Sequence, residues 1–126
     1  MVKSKGGRRL DLDNRYFRST WEANYARYLN WLQSRGQIKS WSYEAKVFAF
    51  PVKRGTTEYR PDFLVTESDG TQTWHETKGY LDAKSKTQLK RMAKYYPEEK
   101  IVLVDSKVYK DLEKMFSRVI ENWETT

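Results

Sequence analysis

Two stretches decide the fold: residues 59–66, Tyr59-Arg60-Pro61-Asp62-Phe63-Leu64-Val65-Thr66, and residues 72–78, Gln72-Thr73-Trp74-His75-Glu76-Thr77-Lys78. Both are rich in β-branched and aromatic residues, and Ser68-Asp69-Gly70 between them has the chemistry of a tight turn. Together they predict a β-hairpin. Side chains alternate along a strand, so Glu76 and Lys78 share one face while His75 and Thr77 take the other. With the two strands as neighbours, Asp62 lies beside Glu76. Two carboxylates and an ammonium then converge on one spot.

Upstream of the hairpin, Trp21, Tyr25, Tyr28, Leu29 and Leu32 recur at helical spacing between a capping Ser19 and Gly36. That predicts a helix over about residues 20–35. Residues 38–52 hold Trp41, Tyr43, Val47, Phe48 and Phe50, which is strand chemistry ending near Pro51, and Gly55 marks the turn that follows. Downstream, Gly79 breaks the second hairpin strand. A second helix presents Leu89, Met92, Ala93 and Tyr96 on one face and is stopped by Pro97. Residues 101–104 form a short continuous apolar run, expected to be a strand buried on both faces and parallel to its neighbour. Val108, Leu112, Met115, Phe116, Val119, Ile120 and Trp123 then repeat helically toward the C-terminus. The order is α-β-β-β-α-β-α, an α/β domain with a mixed central sheet flanked by helices.

A chain of 126 residues closes one hydrophobic core. Residues 1–14 are polar and without apolar period, so they read as a flexible basic arm ahead of a single domain over 15–126. With no cysteine, disulfide staples and thiolate-held zinc are excluded, and a metal has only oxygen ligands or His75. No apolar run approaches the roughly 18 residues of a membrane span, and the N-terminus lacks a signal-like stretch. The expectation is a soluble cytoplasmic protein with no membrane partner.

Lys and Arg number 24 against 17 Asp and Glu, a net charge of +7, and the excess is clustered. Lys3, Lys5, Arg8 and Arg9 crowd the N-terminus, and Lys84, Lys86, Lys90, Arg91 and Lys94 accompany the second helix. Such groups attract phosphate backbones through counterion release. The plainer reading of each is a solvated tail and a solvated helix face.

Phosphodiester hydrolysis needs the grouping that the hairpin predicts. Two carboxylates hold Mg²⁺, a hard cation that prefers oxygen and keeps several waters, while a lysine orients the attacking water and stabilises developing charge. Without a cation, two carboxylates ~4 Å apart repel by ~4 kcal/mol at an effective dielectric near ~20. The competing reading is an Asp that ends a turn after Pro61 and a solvated strand face at residues 76–78. Glu22 also has two readings. Ser19-x-x-Glu22 matches a capping box, and an acid in the first turn of that helix is equally able to supply a third carboxylate. His75, on the face opposite Glu76, reads as structural. Trp21, Tyr25 and Tyr28 read as core before they read as base-stacking platforms.

At this point the residues resemble a known group. A Glu in the first helix, P-D and E-x-K on successive strands, a basic helix and a buried strand look like the PD-(D/E)xK nuclease superfamily, with its restriction-endonuclease-like fold. Phe17-Arg18-Ser19, Glu22, Tyr59-x-Pro61-Asp62-Phe63-Leu64 and Glu76-Thr77-Lys78-Gly79 stand in the order seen in the phage endonuclease I family of Holliday-junction-resolving enzymes. The resemblance spans roughly residues 16–105.

It implies metal-dependent nicking of branched DNA by a homodimer, in the host cytoplasm if the chain is phage-encoded. Carried over, Glu22, Asp62 and Glu76 are the acidic metal-site residues, the Thr77 backbone carbonyl is a further ligand, and Lys78 is the catalytic lysine. Mg²⁺ is the implied metal, with Mn²⁺ as substitute, and Arg18 joins the basic clusters on the DNA. The chain departs from the family pattern in its N-terminal basic tail, its mixed C-terminus and His75.

Alternatives are a nuclease of the same fold acting on nicked, flap or specific duplex DNA, as transposon-end endonucleases do, and a non-catalytic DNA-binding module, whose expected mark is a missing acid or lysine. A basic interaction protein with no nucleic-acid role is a third. Residues 38–50 are the expected dimer contact, because they carry more apolar surface than an edge strand should expose.

Overall fold

The structure is a computed structural model and describes residues 5–125. In chain order the strands are β1 (Gly7–Arg9), β2 (Arg15–Phe17), β3 (Ile38–Tyr43), β4 (Phe48–Ala49), β5 (Glu58–Tyr59), β6 (Phe63–Glu67), β7 (Gln72–Thr77) and β8 (Ile101–Val104). The helices are α1 (Thr20–Ser34), α2 (Ala83–Tyr95) and α3 (Ser106–Phe116).

The central sheet has the order β3-β6-β7-β8, antiparallel except for the parallel β7–β8 pair. The expected hairpin is present. Gly70, at φ 91°, closes a turn in which its N–H donates to the Glu67 carbonyl at 2.9 Å. Alternation then sorts the side chains. Phe63 and Val65 pack with Tyr25, Ala26 and Leu29 of α1 and with Tyr109 and Leu112 of α3. Trp74 packs with Met92 of α2 and with Phe48 and Tyr59 from the β4–β5 hairpin. The molecule is therefore mixed α/β, with helices on both faces of a four-stranded mixed sheet.

Both helices that bracket the site start where side-chain caps exist. The Ser19 hydroxyl accepts the Glu22 N–H at 3.1 Å, and the Asp82 carboxylate accepts the Ser85 N–H at 2.7 Å. No helix among the described residues is long and apolar enough to cross a membrane.

Several expectations are corrected. Of the arm expected over residues 1–14, the described part, residues 5–14, is not simply free: β1 pairs with β2, Leu12 is buried in the core, and the Arg9 side chain is buried. Its guanidinium bonds both oxygens of Glu124, at 2.9 and 3.0 Å. Glu124 also accepts from Arg27 at 2.8 Å, and Arg27 holds Asp11 at 2.8 and 2.9 Å. This clasp folds the N-terminal hairpin onto α1, because two buried guanidinium groups need counter-charge.

The strand expected over residues 38–52 breaks at Glu44, which turns to φ 50° and donates its N–H to the Asp62 carbonyl at 2.8 Å. Phe48 and Phe50 are thereby buried in the chain's own second core, and Trp41 packs against the first. The surplus apolar surface proposed as a dimer contact is largely consumed within this chain. β8 is parallel to β7 as expected, but it is an edge strand, half-buried over Ile101, Val102 and Leu103. The last helix stops at Phe116, and the following turns carry Ile120 into the protein and Glu124 into the clasp.

Candidate active site

The β6–β7 register pairs Phe63 with His75, so Asp62, the residue just before β6, comes opposite Glu76. The two are linked directly: the Asp62 N–H donates to Glu76 Oε1 at 3.1 Å. Asp62 is 1% exposed and Glu76 is also buried. Asp62 Oδ2 accepts the Thr77 N–H at 2.9 Å and its hydroxyl at 2.8 Å. Asp62 Oδ1 accepts from Arg18 at 2.7 Å. The Lys78 ammonium stands 3.6 Å from Glu76 Oε2, and its backbone N–H is tied to the Val104 carbonyl of β8 at 3.0 Å. The expected triad of Asp62, Glu76 and Lys78 is therefore one cluster, on the floor of an open cleft of about 570 Å³.

Glu22 enters from the first turn of α1. Its backbone completes the Ser19 cap, and its carboxylate faces Tyr43 and Arg18. The Tyr43 hydroxyl donates to Glu22 Oε1, and the Arg18 guanidinium lies 3.5 Å from the same oxygen. Arg18 also reaches Glu44 at 3.3 Å. One half-exposed guanidinium thus joins three carboxylates, Glu22, Glu44 and Asp62. Among the described residues, no three His, Asp or Glu side chains close into a preformed metal cage. Asp62 and Glu76 are a pair, and Glu22 is linked to the pair through Arg18.

Charge is in excess at this spot. Burial first, then the charges of Glu76 and Glu22, pushes the Asp62 carboxyl up to about 8. Burial raises Glu76 as well, against the opposing pull of Lys78. The Tyr59 hydroxyl is buried beside Glu76 without a hydrogen bond of proper geometry. Two buried carboxylates side by side, both raised by burial, form an all-oxygen donor set suited to a hard divalent cation. The residues present fit Mg²⁺ or Mn²⁺.

No family model matches this chain, and no curated protein matches it.

The remaining candidates divide sharply. Lys84, Lys86, Lys90 and Lys94 are exposed on α2, and Lys84 lines the cleft. Arg91 is half-buried and donates to the Thr56 carbonyl, so it braces the loop after β4. Arg9 is locked in the clasp and is not free for phosphate. Arg8 donates to the Asn14 carbonyl at 2.9 Å, and Lys5 keeps an exposed side chain. Lys3 lies outside the described residues.

His75 is structural, as its face predicted. Its Nδ1 is 2.6 Å from the Tyr25 hydroxyl and its Nε2 is 3.1 Å from the Thr73 hydroxyl. Burial lowers its pKa to about 4.

Sequence reasoning missed Tyr43, Glu44, Tyr59 and Arg60. Arg60 is exposed, lines the cleft beside Asp62, and was legible as a cation in Tyr59-Arg60-Pro61-Asp62. Tyr43 and Glu44 carried no local signal, because only the β3–β6 register brings them to the site.

Proposed function

We propose that this chain is a metal-dependent DNA endonuclease with a restriction-endonuclease-like fold, cutting phosphodiesters and preferring branched DNA in the manner of the phage endonuclease I family. The observation that carries this reading is the buried Asp62–Glu76 pair with Lys78 beside it, at the floor of an open cleft rimmed by cations. Held by Asp62 and Glu76, with the Thr77 carbonyl and Glu22 as further oxygen donors, Mg²⁺ or Mn²⁺ would neutralise a phosphate and supply a nucleophile at neutral pH.

The chain's own groups set the rest of the chemistry. Lys78 orients the attacking water and stabilises charge developing on the phosphate oxygens, and Glu76 keeps its ammonium in place. Thr77 fixes the Asp62 carboxylate by two hydrogen bonds, and Tyr43 holds the Glu22 carboxylate by one. Arg18 and Arg60 meet the phosphates next to the scissile one. Lys84, Lys86, Lys90 and Lys94 track the backbone with no sequence preference.

Junction resolution needs two nicks related by two-fold symmetry, so the active species is a homodimer. The test is incubation of the protein with a synthetic four-way junction and its matching linear duplex, with and without Mg²⁺, alongside sedimentation. Paired symmetric nicks in the junction arms, only with metal and from a dimer, support the reading. Equal cutting of both substrates leaves a general nuclease, and binding without cutting in any metal leaves a DNA-binding module.

A further inference from the structure

Immediately beyond Lys78 the chain exposes a large aromatic ring. Tyr80, on the loop between β7 and α2, is 78% exposed. It lines a second cleft of about 410 Å³, within the ~300–1,000 Å³ range of small-ligand sites. Lys78 lines both clefts, so the second adjoins the one that holds the proposed catalytic group. Its apolar lining comes from Leu81 and from Leu103 of the edge strand β8, and its cations beyond Lys78 are Lys86 and Lys107.

The charge is available. The ion pair of Lys107 with Asp111 is solvent-exposed at 3.4 Å and so contributes little. The one carboxylate that lines this cleft, Asp105, is engaged in capping α3, accepting the Val108 N–H at 3.0 Å, against three lysines, Lys78, Lys86 and Lys107.

An exposed aromatic face, an aliphatic floor and flanking ammonium groups match one ligand class, a nucleotide whose base has left its stack. In a continuous duplex both faces of each base are covered by neighbours. A branch point or unpaired position frees them. We infer that this second cleft binds an unstacked nucleotide of the DNA, with Tyr80 stacking on the base and Lys86 and Lys107 holding the adjoining phosphates. The inference rests on the proposed nuclease reading and deepens it: Tyr80 distinguishes branched from linear DNA two residues from the catalytic lysine.

The test is binding measured by fluorescence anisotropy in EDTA, where no cutting occurs. The probes are a four-way junction, a duplex with one unpaired 2-aminopurine, and the matching linear duplex. Tyr80→Ala should weaken binding to the first two by about 5- to 150-fold, the ~1–3 kcal/mol of one base–aromatic stack, and leave the linear duplex unchanged. Tyr80→Trp should retain the preference. The 2-aminopurine should be quenched by the wild-type chain and not by Tyr80→Ala. Tyr80 is exposed, so matched melting temperatures will establish that each variant folds.

Equal losses on all three probes, or no loss on any, would overturn the inference while leaving the nuclease reading intact. Tyr80-dependent binding without metal-dependent cutting would sustain this site and sink the nuclease. A wild-type chain that binds no DNA would remove both.

Discussion

Thr77 donates twice to a single oxygen of Asp62, its N–H at 2.9 Å and its hydroxyl at 2.8 Å from Oδ2. Oδ1 is thereby turned toward Arg18 and the cleft. A hydrogen bond to a charged group contributes ~1.5–3 kcal/mol, and each ~1.4 kcal/mol is tenfold in rate. Thr77→Val should therefore slow cleavage by about 10- to 100-fold, whereas Thr77→Ser, which keeps the hydroxyl, should stay near the wild-type rate. Single-turnover cleavage of a junction with each variant decides the matter.

Asp62→Asn, Glu76→Gln and Lys78→Ala should each remove cleavage, with losses of at least ~10²-fold, as for removal of one preorganised charge from an active site. All three should remain folded by circular dichroism. Wild-type activity in any folded one of them would refute the site assignment.

The pH dependence of stability follows from two buried groups with opposite signs. The Asp62 carboxyl is pushed up to about 8 in the folded chain, so folding takes up a proton, and stability falls as pH rises from ~4 toward 8. Glu76 acts in the same direction. His75 is lowered to about 4, so its contribution is complete above the ordinary ~6.5 and is lost as pH falls toward 4. The two effects oppose at acid pH, and Asp62 acts above ~6.5. Urea melts in EDTA should therefore show stability declining from pH 6.5 to 8, with a smaller decline in Asp62→Asn or in saturating Mg²⁺. Stability that rises across that interval would contradict the charge balance described here.

For Glu22 the structure separates two roles that the sequence left together. The helix cap uses its backbone N–H, while its carboxylate faces Tyr43 and Arg18. Glu22→Gln should leave the melting temperature within a few degrees and reduce cleavage at least tenfold. Ser19→Ala, by contrast, should cost ~0.5–2 kcal/mol of stability. Measuring rate and melting temperature on the same preparations distinguishes the two.

Glu124→Gln tests the clasp. Breaking a buried pair costs ~3–5 kcal/mol, and because Glu124 keeps about a third of its side chain exposed, ~2 kcal/mol is the expected loss. The Glu124 carboxyl is held down to about 2, chiefly by its hydrogen bond to Arg9. Its share of the stability is therefore present above ~4.5 and lost only as pH falls toward 2. Denaturant unfolding of wild type and variant at pH 7 and pH 3 gives the size and the window.

The local signals in the chain were sufficient wherever structure is local. Ser19 and Gly36 bound α1, Gly70 sets the hairpin turn, and alternation on β7 puts Glu76 and His75 on opposite faces. Asp62 and Glu76 were recoverable because a tight turn fixes strand register.

What escaped reading depends on partners far along the chain. Arg9 looks like a free phosphate ligand until Glu124, 115 residues away, is brought to it. Arg91 sits among solvated lysines in sequence, and it is the loop after β4 that binds it. The continuous apolar run of β8 implied two covered faces. Its apolarity does not report how many strands flank it. Nor does the sequence mark Glu44 as the point where β3 ends, since its left-handed backbone is held by the Asp62 carbonyl, just ahead of β6.

The clasp also sets an order in time. Synthesis runs from N- to C-terminus, so Glu124 is made after every group that it joins: Arg9, Arg27 and the Asn24 side chain, which accepts its N–H at 2.9 Å. Until then the N-terminal hairpin cannot dock without burying the Arg9 guanidinium away from its counter-charge, while Arg27 has Asp11 alone. A nascent chain on the ribosome can form the β6–β7 hairpin and α1 early. The seating of β1 and β2, and with it the placement of Arg18 among the site carboxylates, waits for Glu124. The nuclease proposed here would be assembled only once Glu124 has been made.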